Sequence, residues 1–378
     1  MLKKIYSLKT LNLIILLMSS LGFSLGAVFI RFFSDTISLA FIINLQSIVV
    51  FSSFILQFGL RAALRVHIYS GRLLLAKRSS ESLYILLLLI SLLGFFIEVY
   101  IDTFYFISLS CLLSIVTLKL TISIAKNTFR NIFGFSLLNF IVTISSSLLV
   151  ILIKDLKFSS YIIEISSITL LLLLYSSINW RALLRHFGKV LKVYWGAQSY
   201  QLGSCVVALF VFLLTQTAVV QFKGDDLIAY SDALILSGLL VMLIGKAMLL
   251  FEKNIYGSES NQYALYVFIL CLQIFICAIF STFLYFYYNV SWITMFSVIF
   301  VLLSRTSAGY VVQYVEKNRW LLNIVSGIFF ILYALVYFTN LKELNIGYHF
   351  YPVFVYLLIG FLLLKNMGLK NKAFTERC

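Results

Sequence analysis

Residues 21–64 read LGFSLGAVFIRFFSDTISLAFIINLQSIVVFSSFILQFGLRAAL, and this stretch holds parts of two long apolar runs with a short polar turn between them. The runs extend over 11–33 and 38–60, and the turn carries Asp35. A helix of about 20 apolar residues crosses a hydrocarbon layer roughly 30 Å thick. The stretch therefore predicts two transmembrane helices that form a hairpin.

The composition extends this interpretation to the whole chain. Of its 378 residues 62% are hydrophobic and 11% are charged, with a mean hydropathy of +1.03. A soluble domain is about 45–50% apolar and about 25% charged, so the sequence predicts an all-α, multi-pass membrane protein. Twelve apolar runs are long enough to span: 11–33, 38–60, 83–101, 104–121, 133–153, 160–178, 198–222, 228–251, 264–287, 291–308, 320–339 and 348–365.

The distribution of charge predicts the orientation of these spans. With the N-terminus in the cytoplasm, 24 of the 29 Lys and Arg residues fall on the inner side, for a net charge of +19 inside and −4 outside. Cytoplasmic loops carry such an excess of basic residues. Twelve spans then leave both termini cytoplasmic, and the surplus of +15 indicates membrane topology rather than binding of nucleic acid.

The spans divide into two equal sets, which predicts two bundles. Spans one to six and spans seven to twelve each cover 168 residues and each begin inside, as in a parallel repeat related by an axis along the membrane normal. We expect an N-terminal six-helix bundle at 1–180, a linker at 181–196 and a C-terminal six-helix bundle at 197–378. The linker places basic and apolar residues on opposite faces of a helix, which is typical of an amphipathic helix in the cytoplasmic interface: Arg181, Arg185, Lys189 and Lys192 on one face, and Leu184, Phe187 and Leu191 on the other.

Enzymatic chemistry has no support among these residues. The connecting loops are short, no phosphate-binding GxxxxGK[ST] sequence occurs, and the five cysteines form no CxxC pair. We interpret the cysteines as small lipid-facing or helix-facing residues, and we expect no metal, no cofactor and no catalytic set. The single proline, Pro352, leaves few points for helix bending, which favours bundles that move as rigid bodies.

Charged residues within predicted spans are site candidates, because charge is costly in the membrane. The cations could either snorkel to the interface or face a central cavity, and the acids lie a turn or more inside the outer ends of spans three, six and eight. Asp232 and Lys246 are 14 residues apart and share one helix face. The cations are Arg31, Lys246 and Arg305, and the acids are Glu98, Glu164 and Asp232.

The opening stretch resembles the first helix pair of Wzx-type polysaccharide flippases, which belong to the multidrug/oligosaccharidyl-lipid/polysaccharide exporter superfamily. The matching features are Arg31 after a glycine-bearing helix, the acidic turn at Ser34 and Asp35, and Phe-Gly-Leu-Arg at 58–61. The start of the second half, FKGDDLIAYSDALILSGLL at 222–240, is similar to the turn of that family into its eighth helix. The Tyr-Gly that commonly follows the first turn in the family is absent, and the chain is short for the family.

The resemblance implies a flippase that moves undecaprenyl-diphosphate-linked oligosaccharide repeat units across the bacterial cytoplasmic (inner) membrane for O-antigen, lipopolysaccharide or capsule biosynthesis. It implies the lipid-linked oligosaccharide as the substrate, with a polysaccharide polymerase and a chain-length regulator as possible partners. The diphosphate would contact four cations: Arg31, Arg61, Lys246 and Arg305.

Two alternatives remain open at this stage. The first is a cation-coupled drug or metabolite antiporter of the same architecture, in which Glu98, Glu164 and Asp232 would bind protons or Na⁺ or line a polar cavity. The second is a membrane polymerase or acyltransferase of the same pathway. A polymerase of that kind usually has a long outer loop, and an acyltransferase needs an intramembrane histidine, and the sequence predicts neither.

Overall fold

The computed structural model describes residues 36–57, 73–126, 128–153 and 155–175, and ten further single positions: 25, 60, 64, 228, 271, 275, 278, 279, 282 and 286. The chain divides into two compact units, Met1–Val219 and Val220–Cys378. The continuous segments all belong to the first unit and form five α-helices. These are α1 Thr36–Leu56, α2 Leu73–Ile101, α3 Ile107–Ala125, α4 Phe129–Leu152 and α5 Leu156–Tyr175.

Four of these helices are long and apolar enough to cross a membrane, namely α2 to α5. The apolar part of α1 is shorter, Ala40–Ser53. Helices α2 to α5 confirm the predicted spans three to six to within a few residues at most ends, and α1 is a helix at the position of predicted span two. The exception is α2, which begins ten residues before the predicted start at 83, because hydropathy marks the apolar stretch while a helix continues through polar residues that favour it.

The predicted first span, spans seven to twelve and the linker at 181–196 lie outside the described segments. Isolated positions within them are helical. Six of these, from Cys271 to Phe286, recur at helical spacing within the predicted ninth span, and all six are exposed. Two described cysteines, buried Cys111 and exposed Cys271, are both free, as expected for residues that face a helix or lipid.

Helix α3 lies at the centre of the described helices. It packs against α1, α2, α4 and α5, and 72% of its apolar stretch is buried, compared with 28–33% for the other three membrane-length helices. Small serines on α3 let neighbouring backbones approach. The Ser114 hydroxyl donates to the Ser53 carbonyl of α1 at 3.0 Å, and the Ser108 hydroxyl donates to the Ser91 carbonyl of α2 at 3.3 Å.

A tight turn at 102–106 joins α2 to α3, at the break between the predicted spans 83–101 and 104–121. Asp102 has a φ of 60°, and the Thr103 N–H donates to the Glu98 carbonyl at 3.2 Å. This bond between residues five apart, with a left-handed residue just after the helix, is the Schellman ending of an α-helix. Phe106 also has a positive φ, 55°, and its buried ring meets the edge of Phe41 on α1 with centroids 6.0 Å apart.

Candidate functional site

Two of the seven predicted site residues, Glu98 and Glu164, lie in the described part of the chain. The structure places Glu98 one turn before the end of α2 and Glu164 two turns into α5, in agreement with the predicted positions inside the outer ends of their spans. The other five predicted site residues lie outside the described residues: Arg31, Arg61, Asp232, Lys246 and Arg305.

The two glutamates converge on the N-terminus of α3. The first N–H groups of a helix have no partner within it, and Phe106, which precedes α3, has no side-chain oxygen to cap it. Glu98 Oε1 accepts the N–H groups of Tyr105 at 2.8 Å and Ile107 at 3.2 Å. Glu164 accepts the N–H of Ser108 at 2.8 Å through Oε2 and that of Leu109 at 3.3 Å through Oε1.

This arrangement is an N-terminal cap supplied by other helices. Each glutamate is 0% exposed, and a backbone N–H without a partner in an apolar environment costs several kcal/mol. The partial positive charge of a helix N-terminus also stabilises a nearby carboxylate. Glu98 and Glu164 therefore tie α2, α3 and α5 together at the end of the bundle that the charge distribution predicts to be outer.

The two carboxyl groups are close to each other, because they accept the N–H groups of the consecutive residues Ile107 and Ser108. Among the described residues, no N–H or O–H group donates to Glu98 Oε2. One oxygen of this pair of neighbouring buried carboxyl groups is thus without a donor among the described residues, which is a geometry that suits a proton or a small cation.

Polar groups and aromatic rings make further contacts between the α2–α3 turn and the start of α5. Asp102 in the turn and Lys157 on α5 form an ion pair at 2.7 Å, with each side chain 56% exposed. The Phe104 and Tyr161 rings meet edge to face with centroids 4.7 Å apart. Asp155 accepts the N–H groups of the first turn of α5 and caps that helix. These residues form a rim that joins the two segments.

One intramembrane cation was missed as a site candidate by the sequence analysis, which counted Lys119 only among the inner charges. Its ammonium lies 5.3 Å from the centre of the Tyr84 ring on α2 and 5.5 Å from that of the Phe135 ring on α4. Rings at this distance attract a cation through their electron-rich faces. The available signal was its position inside the predicted span 104–121; the two rings come from other helices and could not be assigned from the sequence.

Comparison with known proteins identifies the fold. No family model and no curated protein matches the chain. A crystal structure of the Vibrio cholerae MATE transporter VcmN, a D35N mutant, matches with a TM-score of 0.58 and 14% sequence identity, over 98% of this chain and 99% of that one. A MATE structure in a bent conformation matches with a TM-score of 0.45 and 12% identity, over 97% of this chain and 94% of that one.

The likeness to VcmN extends over nearly the full length of both chains. MATE transporters belong to the superfamily that the opening helix pair resembles. At 14% identity the likeness concerns the backbone arrangement and not the substrate. This chain is therefore a multi-pass membrane protein with the fold of a MATE transporter.

Proposed function

We propose that this chain is a flippase that moves an undecaprenyl-diphosphate-linked oligosaccharide from the cytoplasmic to the outer leaflet by alternating access. The observation that carries the proposal is a transporter fold that covers 98% of the chain. The resemblance of 21–64 to Wzx-type flippases narrows the cargo to a lipid-linked glycan. Under this proposal the chain acts in the bacterial inner membrane, upstream of a polysaccharide polymerase and its chain-length regulator.

The chemistry of the cargo accounts for the proposed binding residues. A diphosphate that leaves water needs cations, and arginine offers paired donors that match phosphate oxygens. Arg31, Arg61, Lys246 and Arg305 would fill this role. The predicted inner charge of +19 would draw anionic headgroups to the loading side, although the same excess is expected of any membrane protein with cytoplasmic loops.

Reconstitution into vesicles tests the proposal directly. The purified protein is placed in liposomes that contain undecaprenyl-diphosphate-linked oligosaccharide, and a membrane-impermeant glycosidase is added outside. Protein-free vesicles expose only the glycan of the outer leaflet, whereas active flippase exposes that of both leaflets. We expect Arg31→Ala to return cleavage to the protein-free level and Lys9→Ala, at the predicted inner end of the same helix, to keep full cleavage. Cleavage that is equal with and without the wild-type protein would reject the flippase.

A cation-coupled antiporter is the second candidate, and the buried acid pair favours it. Glu98 and Glu164 are fully buried and converge on the start of α3, and Asp232 is the third acid within a predicted span. In vesicles with an imposed pH or Na⁺ gradient, an antiporter would accumulate an organic cation, and Glu98→Gln would reduce that accumulation. Gradient-independent flipping of the glycan without organic-cation uptake would exclude this candidate.

A further inference from the structure

We propose that Glu98 and Glu164 form a proton-binding site, in which the proton resides on Glu98 Oε2 and is donated to the Glu164 carboxylate. The proposal concerns the pair itself and holds whichever cargo the protein carries. It rests on the hydrogen-bond geometry at the start of α3 and on the burial of both side chains.

The burial of the pair argues against two full charges. Two carboxylates that accept the N–H groups of consecutive residues repel strongly where water is excluded, and paired acids in proteins commonly share one proton for this reason. Both side chains are 0% exposed. Among the described residues, no Lys, Arg or His side chain neutralises the pair. Lys157, the described cation at this end, is exposed and bound to Asp102 instead. A single proton converts the repulsive contact into a hydrogen bond.

The donors around each carboxyl group locate the proton. Both oxygens of Glu164 accept N–H groups of the first turn of α3, which is the place where a helix best stabilises negative charge. On Glu98, Oε1 accepts two N–H groups while Oε2 has no donor among the described residues. The proton therefore belongs on Glu98 Oε2, where it supplies the missing hydrogen bond.

Few other described titratable groups reach this site. Helix α3 brings the buried thiol of Cys111, one turn into the helix, and α5 brings Tyr161 on the rim. The segment of α1 contains no titratable residue, and the basic residue of α4, Arg130, lies at the opposite end of the bundle. Asp102, Tyr105 and Asp155 lie on the exposed rim, and the other acid of α2, Glu81, is near the opposite end of that helix. The proton thus responds chiefly to its two carboxyl groups.

Loss of this proton would weaken the attachment of α5 to the α2–α3 hairpin. The pair would then hold two negative charges at one helix N-terminus, and these charges sit on α2 and α5. The affected end is the one that the charge distribution predicts to face outward. The site would therefore make the outer end of the described bundle sensitive to external pH.

Matched amide substitutions test the assignment. Glu98→Gln keeps an acceptor for Tyr105 and Ile107 and places an N–H₂ where the proton is proposed, so it imitates the protonated state. Glu164→Gln keeps an acceptor for only one of the N–H groups of Ser108 and Leu109, turns an N–H₂ toward the other, and removes the charge that they bind. The control is Asp102→Asn, an exposed acid at the same end that leaves the pair intact.

The measurement is the thermal unfolding midpoint of the full-length protein in lipid nanodiscs as the pH is raised from about 5 to about 10. This interval lies between the ordinary pKa values of carboxylic acids and of lysine. We expect the wild-type and Asp102→Asn midpoints to fall at high pH as the proton leaves, and the Glu98→Gln midpoint to lack this fall. Glu164→Gln should have a lower midpoint throughout. A Glu98→Gln curve that follows the wild type, or one that shows failure to fold while Asp102→Asn folds, contradicts the proposal. A reversed order of the two glutamine variants would also contradict it.

Infrared spectroscopy supplies a second measurement on the wild type. A protonated carboxyl group has a C=O stretching band distinct from those of a carboxylate. We expect such a band, retained in Asp102→Asn and lost in Glu98→Gln. Absence of the band from the wild type would overturn the proposal. Stabilisation of the wild type by Na⁺ at constant pH that disappears in Glu98→Gln would also overturn it, because that result assigns the site to a metal cation.

Discussion

Replacement of Gly94 by alanine tests how closely α2 is seated against the beginning of α3. A Cβ atom built on Gly94 lies 2.6 Å from Cγ2, 2.9 Å from Cδ1 and 3.0 Å from Cβ of Ile107. Ordinary contacts between carbon atoms are about 3.5–4.0 Å. The side chain of Ile107 is branched at Cβ and has one strongly preferred rotamer in a helix, and rotation does not move its Cβ, so the helices themselves must separate.

The expected cost follows from this overlap. Overpacking in a well-packed region costs about 1–3 kcal/mol, while alanine is favoured over glycine within a helix by up to about 1 kcal/mol. We therefore expect Gly94→Ala to lower the free energy of unfolding by about 1–2 kcal/mol. A further loss follows because Ile107 donates its N–H to Glu98 at 3.2 Å, and separation of the helices lengthens this bond.

The assay is equilibrium unfolding in mixed micelles with increasing SDS. The matched control is Gly134→Ala on α4, where a Cβ meets nothing within 4 Å, and this variant should unfold like the wild type or with a free energy higher by up to about 1 kcal/mol. Ile107→Ala removes two of the three close contacts, so the double variant with Gly94→Ala should lose less stability than the two single losses added together. Equal stability of Gly94→Ala and Gly134→Ala would refute this account of the helix contact.

Three further predictions concern polar groups around the same helices. Asp155→Ala removes the cap of α5 and should lower the free energy of unfolding by about 1 kcal/mol in the SDS assay, whereas Asp155→Asn should retain most of it. Asp102→Asn breaks an ion pair that is exposed on both sides, and asparagine also adopts the left-handed conformation readily, so unfolding at low pH should be unchanged. Lys119→Met should preserve or raise the unfolding midpoint, because an apolar side chain of similar length fits between the two rings without a buried charge, and Lys119→Glu should lower it sharply in the same measurement.

Hydropathy predicted the described helices well because it measures the property that the membrane selects. Four spans and the helix α1 were placed near their observed positions, and the two-residue break between the predicted spans 83–101 and 104–121 marks the observed turn between α2 and α3. The start of α2 was misplaced because a helix can leave the apolar layer without ending. Element boundaries of this kind depend on the polar ends, where hydropathy carries little information.

The convergence of Glu98 and Glu164 could not be derived in the same way. The sequence marked them as costly charges and placed each near an outer helix end. They are far apart along the chain, however, and no sequence pattern distinguished them from Asp232 as partners for each other. Their meeting depends on α2 and α5 packing against α3 and against each other, and this is a tertiary contact. A local signal did exist: the residue before α3 is Phe106, and not the Ser, Thr, Asp or Asn that caps a helix, so the first N–H groups of α3 had to find acceptors elsewhere.

Capping by two neighbouring helices has a mechanical consequence that a local cap would lack. A serine or aspartate at position 106 would satisfy the N–H groups of α3 and leave α2 and α5 free to shift against it. Here any separation of α2 or α5 from α3 exposes backbone N–H groups in an apolar layer, at several kcal/mol for each group. These three helices are therefore held as one body at this end of the bundle, and movement of the bundle as a unit costs less than bending within it. This agrees with the rigid-body motion that a chain with a single proline favours. Loss of the proton on Glu98 would then loosen the contacts that hold these three helices together.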